Sequence, residues 1–182
     1  MPLDHNIELS YSVKMLLARI GKLTTTQLNL INLLMFQAVW WLSILYQNSA
    51  IAISSGLLLL HFALSSHRQS DLLSMVKVVA CGVIIDSLLT YMQLFEFQQM
   101  PYWLGLLWCH FAISLRYSLA FTQRLPFYIN AILGGVFGCI SYLAGARFDA
   151  VVLPQEYLAS VMILFSVWLV IFPIFVIVSR QR

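Results

Sequence analysis

The chain has 182 residues, 61% of them apolar and 9% charged; soluble domains run near ~45–50% and ~25%, so a water-facing shell cannot be assembled from it. Its formal net charge of +3 is too small and too scattered for a nucleic-acid partner. A mean hydropathy of +0.87, with repeated apolar runs long enough for a hydrocarbon layer of ~30 Å, places it with integral membrane proteins.

In chain order, Val13, Leu16, Leu17 and Ile20 recur at helical spacing beside Lys14, Arg19 and Lys22. That pattern predicts a short amphipathic helix on the cytoplasmic headgroup layer, within an N-terminal segment of residues 1–27. Thr24 and Gln27 form a capping box where the chain turns into the bilayer. Six spanning helices follow, over 28–46, 49–65, 72–95, 102–122, 126–145 and 157–178. Backbone groups in hydrocarbon must bond within their own segment, and the strict alternation of a barrel is missing. The fold class expected is therefore all-α: an integral membrane bundle of six transmembrane helices over 28–178, with a cytoplasmic tail at 179–182.

Short connections at Gln47-Asn48, Ser66 to Asp71, Pro101 and Pro126 make neighbouring spans antiparallel. Lys14, Arg19, Lys22, Arg68, Lys77, Arg124, Arg180 and Arg182 then gather at one side, against Arg147 with Glu96, Asp149 and Glu156 at the other. By the positive-inside rule both termini are cytoplasmic, and Trp40, Trp41, Tyr46, Tyr102, Trp103 and Tyr157 form an outer aromatic belt. Cys81, Cys109 and Cys139 lie in apolar runs without CxxC spacing, which points to neither a disulfide framework nor a metal site, and no cofactor motif occurs. HExxH, P-loop and GxSxG patterns are absent from the sequence.

The polar groups within the spans need partners, because an ionisable group at mid-bilayer costs ~2.5–3.5 kcal/mol on insertion scales. At a rise of ~1.5 Å per residue, Asp86 and His110 lie level on antiparallel spans, about 4 Å and 3 Å to the outer side of their midpoints. His61 and Arg116 lie deeper, toward the inner side. Two polar layers are thus expected: an outer one of Asp86 and His110, to which Ser141 can add, and an inner one of His61 and Arg116, to which Asn130 can add. Gly82, Asp86, Thr90 and Gln93 share a face of the third span, and Trp103, Leu107, His110, Ser114 and Tyr117 a face of the fourth. Arg116 is placed to snorkel toward the cytoplasmic headgroups.

Asp86 and His110 are the candidate catalytic pair, as a proton relay or the polar wall of a headgroup pocket; a clamp holding helix register is the plainer alternative. Gly134, Gly138, Ser141 and Gly145 form a stripe nearly free of side chains, suited to close helix packing or, as the sharper alternative, to a homodimer or a partner membrane subunit. Pro173 should bend the last span.

Three stretches, INLLMFQAVWW (31–41), LWCHFAISLRYSLAF (107–121) and SYLAGARFDAV (141–151), together resemble the bacterial membrane family catalogued as domain of unknown function 2878. The resemblance implies a protein of the bacterial inner membrane whose activity is not established. Its members tend to be encoded near cyclopropane-fatty-acid-synthase-like enzymes, which implies a lipid-linked role with membrane lipid as partner. It supplies no catalytic residues, but Arg147 and Asp149, in the third stretch, become further candidates at the outer surface. The expected role is to bind, modify or organise lipid; a transport module, such as the substrate-binding subunit of a vitamin transporter, and a purely structural subunit are the alternatives.

Overall fold

The computed structural model describes residues 24–98 and 100–180, and the amphipathic segment expected before Thr24 lies outside them. Six α-helices run through the described residues: α1 (Thr25–Tyr46), α2 (Ile51–Leu64), α3 (Arg68–Tyr91), α4 (Tyr102–Ser114), α5 (Phe127–Arg147) and α6 (Tyr157–Val178). By length and composition, four helical stretches can cross a membrane: Thr25–Leu64, which holds α1 and α2, then Arg68–Tyr91, Phe127–Arg147 and Tyr157–Val178. The outward surfaces of these helices are apolar, with Leu34 61%, Leu59 70% and Phe137 65% exposed, whereas Asp71, Asp86, His61, His110 and Arg116 are buried. Charge inside and hydrocarbon outside is the arrangement that a lipid solvent selects.

The helix ends follow from local chemistry. Thr24 and Gln27 close the capping box at the start of α1, with the Thr24 N–H donating to Gln27 Oε1 at 2.9 Å and the Gln27 N–H to Thr24 Oγ1 at 3.3 Å. α1 stops at Gln47, whose φ of 47° breaks the helix into the 3₁₀ turn Gln47–Ala50. α3 and α5 both end in a Schellman turn, in which a residue with positive φ lets two amides fold back on the last carbonyls. Gln93 (φ 58°) and Asp149 (φ 59°) hold those positions, with Leu94 N–H bonded to Leu89 O at 2.8 Å and Ala150 N–H to Gly145 O at 2.9 Å. The two loops that leave these turns pair through Glu96 and Val152 in an isolated antiparallel bridge.

Side-chain contacts fix the directions of the helices. At the end carrying Arg68, Arg124 and Arg180, hereafter the basic end, Asn32 of α1 accepts from Ser118 and Arg180 donates to the Gln123 carbonyl. At the opposite end Asn48 binds Met100 O and the Trp103 N–H, and Gln47 binds Asp149 O. Successive helices therefore alternate in direction, with α4 as the central rod against α1, α2 and α3. α5 and α6 form the closest pair, and α6 reaches α4 through Trp168.

Two expected spans are corrected. The third begins four residues earlier and ends four earlier than 72–95, which brings Asp71 into the first turn of α3. The fourth does not continue to 122: α4 has 13 residues, roughly 20 Å of helix, and then unwinds through Leu115–Leu119 into a 3₁₀ turn at Ala120–Arg124. Irregular backbone at such a depth is tolerated only where protein covers it. Here Leu115 and Arg116 are buried, and the freed carbonyls of Leu115 and Leu119 accept from Gln123 Nε2 and Thr122 Oγ1.

Candidate functional site

The buried polar groups form two clusters, as the two-layer expectation has it, but their members differ. Asp71 is the centre of the cluster near the basic end. Fully buried, it accepts from Arg116 Nε on Oδ1 at 2.7 Å, and on Oδ2 from Ser65 Oγ at 2.5 Å, Tyr117 Oη at 2.8 Å and His61 Nε2 at 3.4 Å. Arg116 also donates from Nη1 to the Ser179 carbonyl at 3.3 Å, tying the unwound segment after α4 to the end of α6. His61 and Arg116 do share a layer, but Arg116 does not snorkel: its side chain is 3% exposed. An anion fixed at its own depth removes the reason to reach the headgroups. Asn130 stands apart, donating to Thr122 O at 3.0 Å.

Asp86 holds the second cluster, and its partners are aromatic. Trp108 Nε1 donates to Oδ2 at 2.6 Å and Tyr142 Oη to Oδ1 at 2.6 Å. The pairing of Asp86 with His110 is corrected. His110 Nε2 lies 3.0 Å from the Ser54 carbonyl; a carbonyl only accepts, so that nitrogen carries the proton and the ring is spent on joining α4 to α2. Trp108, two residues earlier on α4, faces α3 instead.

Glycine makes this approach possible. A Cβ on Gly82, one turn before Asp86, would overlap the Trp108 indole, and one on Gly138, one turn before Tyr142, would overlap the Trp168 indole. The two indoles stack on each other, centroids 5.8 Å apart and planes 6° from parallel. α3 and α5 thus each take a neighbouring helix's indole over the glycine, Trp108 of α4 on Gly82 and Trp168 of α6 on Gly138, and carry Asp86 or Tyr142 one turn further on. Gly134 lies against Phe172 and the Trp168 carbonyl, so this part of the stripe faces α6; Gly145 faces Ile44 and Val151, and Ser141 accepts from Trp40 Nε1 at 2.9 Å.

A half-open cavity of about 70 Å³ adjoins this cluster. Its walls include Trp40 of α1, Trp103, Trp108 and Phe111 of α4, Tyr142 of α5 and Trp168 of α6, so both hydrogen-bond donors of Asp86 are cavity walls. Asp86 and His110 themselves do not line it. Trp40 and Trp103, expected in the outer aromatic belt, face this interior, while Trp41, Tyr46, Tyr102 and Tyr157 remain exposed. Arg147 and Asp149 are exposed and form no ion pair with each other; Asp149 serves the turn that ends α5. Among the described residues no group of three His, Cys, Asp or Glu side chains is placed to hold a metal ion.

Asp71, Trp108 and Tyr142 escape the sequence reading. Asp71 adjoins a charged connector and reads as solvated, while the two aromatics read as ordinary apolar positions. Spacing held a partial signal, since Gly82 and Asp86, like Gly138 and Tyr142, stand four apart on one helix face.

These features define an all-helical protein with long apolar helices and three charged side chains, Asp71, Asp86 and Arg116, buried among them. The chain belongs to the family described as protein of unknown function (DUF2878), whose model matches residues 29–174. No curated protein and no solved structure matches it. The three stretches that carry the resemblance each contribute cavity wall: Phe36 and Trp40 from the first, Trp108 and Phe111 from the second, Tyr142, Gly145 and Val151 from the third.

Proposed function

We propose that this is a six-span protein of the bacterial inner membrane, with both termini cytoplasmic, that binds the apolar part of a membrane lipid in the aromatic cavity. The observation that carries the reading is the cavity itself, half-open, walled by indole and phenyl rings and adjacent to a carboxylate that fixes two of those walls. An apolar site lined by aromatics with few polar groups suits hydrocarbon. At about 70 Å³ it is smaller than the ~150 Å³ cavity that admits benzene, so it takes a chain end or a short chain segment and leaves the headgroup outside. Asp86 acts here as a positioning residue, holding Trp108 and Tyr142 at the cavity edge.

A second reading has its own support. Asp71 and Asp86 both have every carboxylate oxygen engaged, as expected of clamps that fix helix register in a structural subunit.

Native mass spectrometry of gently extracted protein separates the two. Gly145 lines the cavity, and a Cβ there meets only ordinary contacts at 3.7 Å with Ile44 and Val151. Gly145→Ala should therefore keep a co-purifying lipid that Gly145→Leu, whose side chain enters the cavity, loses. Equal lipid retention by both variants, or its absence from the unaltered protein, leaves the structural reading standing.

A further inference from the structure

A second recess lies at the basic end, away from the aromatic cavity, and its chemistry is the reverse. It encloses about 530 Å³ and is lined by Arg116, Ala120, Gln123, Arg124 and Arg180. Its floor is built by the unwinding of α4: the 3₁₀ turn Ala120–Arg124 folds under the end of α6, and Arg180 Nη2 is fixed on the Gln123 carbonyl at 3.1 Å. No acidic residue lines it. Asp71 balances Arg116, so Arg124 and Arg180 remain as uncompensated cations among the described residues. Arg116 has spare donors as well. Its Nε and Nη1 are engaged, but Nη2 is buried with no partner among the described residues. A buried guanidinium nitrogen left unpaired carries a desolvation cost that an acceptor would remove.

We propose that this recess binds a phosphate group, supplied either by the headgroup of an anionic phospholipid or by free inorganic phosphate. The guanidinium groups of Arg124 and Arg180, with the one free nitrogen of Arg116, offer charged N–H donors that match phosphate oxygens. One of the three is held in place beforehand by Asp71, so little ordering is needed when the anion arrives. The other two stand at the surface, where a headgroup can reach them without the lipid leaving its leaflet.

The test uses the full-length protein in detergent, unaltered and as the Arg124→Gln/Arg180→Gln double variant. In one arm, micelles doped with phosphatidylglycerol or phosphatidylcholine are analysed by native mass spectrometry for retained lipid. In the other, melting temperature is followed against inorganic phosphate, with sodium chloride at equal ionic strength as control. A headgroup site predicts selective retention of phosphatidylglycerol, weakened by about tenfold or more in the double variant, as loss of charge-assisted contacts requires. A free-phosphate site predicts a saturable rise in melting temperature with phosphate alone, lost in the double variant. Both variant positions are exposed, and Arg124→Gln alone, which removes no hydrogen bond among the described residues, carries the test if the double variant melts early. Absence of both responses, or responses equal in variant and unaltered protein, overturns the proposal.

Discussion

Asp71 and Arg116 form a buried ion pair that is costly to disturb singly. Each is buried, and each cancels the other's charge while Ser65, Tyr117 and His61 bond the remaining carboxylate positions. Removing one partner of such a pair leaves an uncompensated charge, at ~3–5 kcal/mol. Asp71→Asn is therefore expected to lower the melting temperature sharply in detergent, whereas the joint replacement Asp71→Leu/Arg116→Met should regain much of the loss. If the double variant is as unstable as the single one, the ion pair is not what the site depends on. Asp86 should behave more gently. An asparagine there can still accept from Trp108 Nε1 with its oxygen, and its amide can donate to Tyr142 Oη if that hydroxyl turns. Asp86→Leu leaves both donors unpaired and should cost more, on the order of ~1–3 kcal/mol for each buried group. Thermal melts of the two variants side by side read this order directly. The sequence marks Asp86 because a carboxylate amid aliphatic residues is conspicuous. It does not mark Asp71, because acids near a helix N-terminus are common on electrostatic grounds alone.

At the scale of helices, glycines do two different jobs that composition cannot tell apart. Gly138 and Gly134 of α5 sit where a Cβ would run into Trp168 and Phe172 of α6, and Gly82 of α3 sits under Trp108. Gly56 and Gly105 have nothing within 4 Å of a built Cβ. Gly138→Ala should accordingly push α5 from α6 and cost ~1–3 kcal/mol through overpacking. Gly56→Ala should be neutral or stabilising by up to ~1 kcal/mol, since alanine is the better helix former. Equal melting temperatures for the two variants would count against the packing described for α5 and α6. Most helices were legible in the sequence because hydrophobic runs and turn residues mark them: Thr24 and Gln27 start α1, and α6 coincides with the expected 157–178. The early end of α4 was not legible. Leu115, Leu119 and Ala120 favour helix, and what unwinds them is tertiary: Asp71 and the Ser179 carbonyl draw Arg116 aside, and Asn32 takes the Ser118 N–H.

For the whole molecule, alternation of six helices and the gathering of arginines at one end combine into a statement about topology. α2 and α4 are short, 14 and 13 residues, or roughly 20 Å each, against a layer of ~30 Å. On the proposed six-span topology they complete the crossing only together with the unwound segment after α4 and the loop between α2 and α3, which then lie within the layer and need a covering of protein. The Asp71 cluster supplies that cover, because it joins Ser65, Asp71 and Arg116 in one buried group. The proposed six crossings would put Ser66 on one face and Gln155 on the other; both side chains are exposed. In a chain with Cys81, Cys109 and Cys139 replaced by alanine, Ser66→Cys should react with an impermeant maleimide only from the cytoplasmic face, and Gln155→Cys only from the outer face. The arginine count at the basic end sets which face is which. Labelling of both cysteines from one face would mean that α2 or α4 fails to cross, and the alternation of helices would then describe a bundle whose basic end and opposite end do not correspond to the two sides of the bilayer.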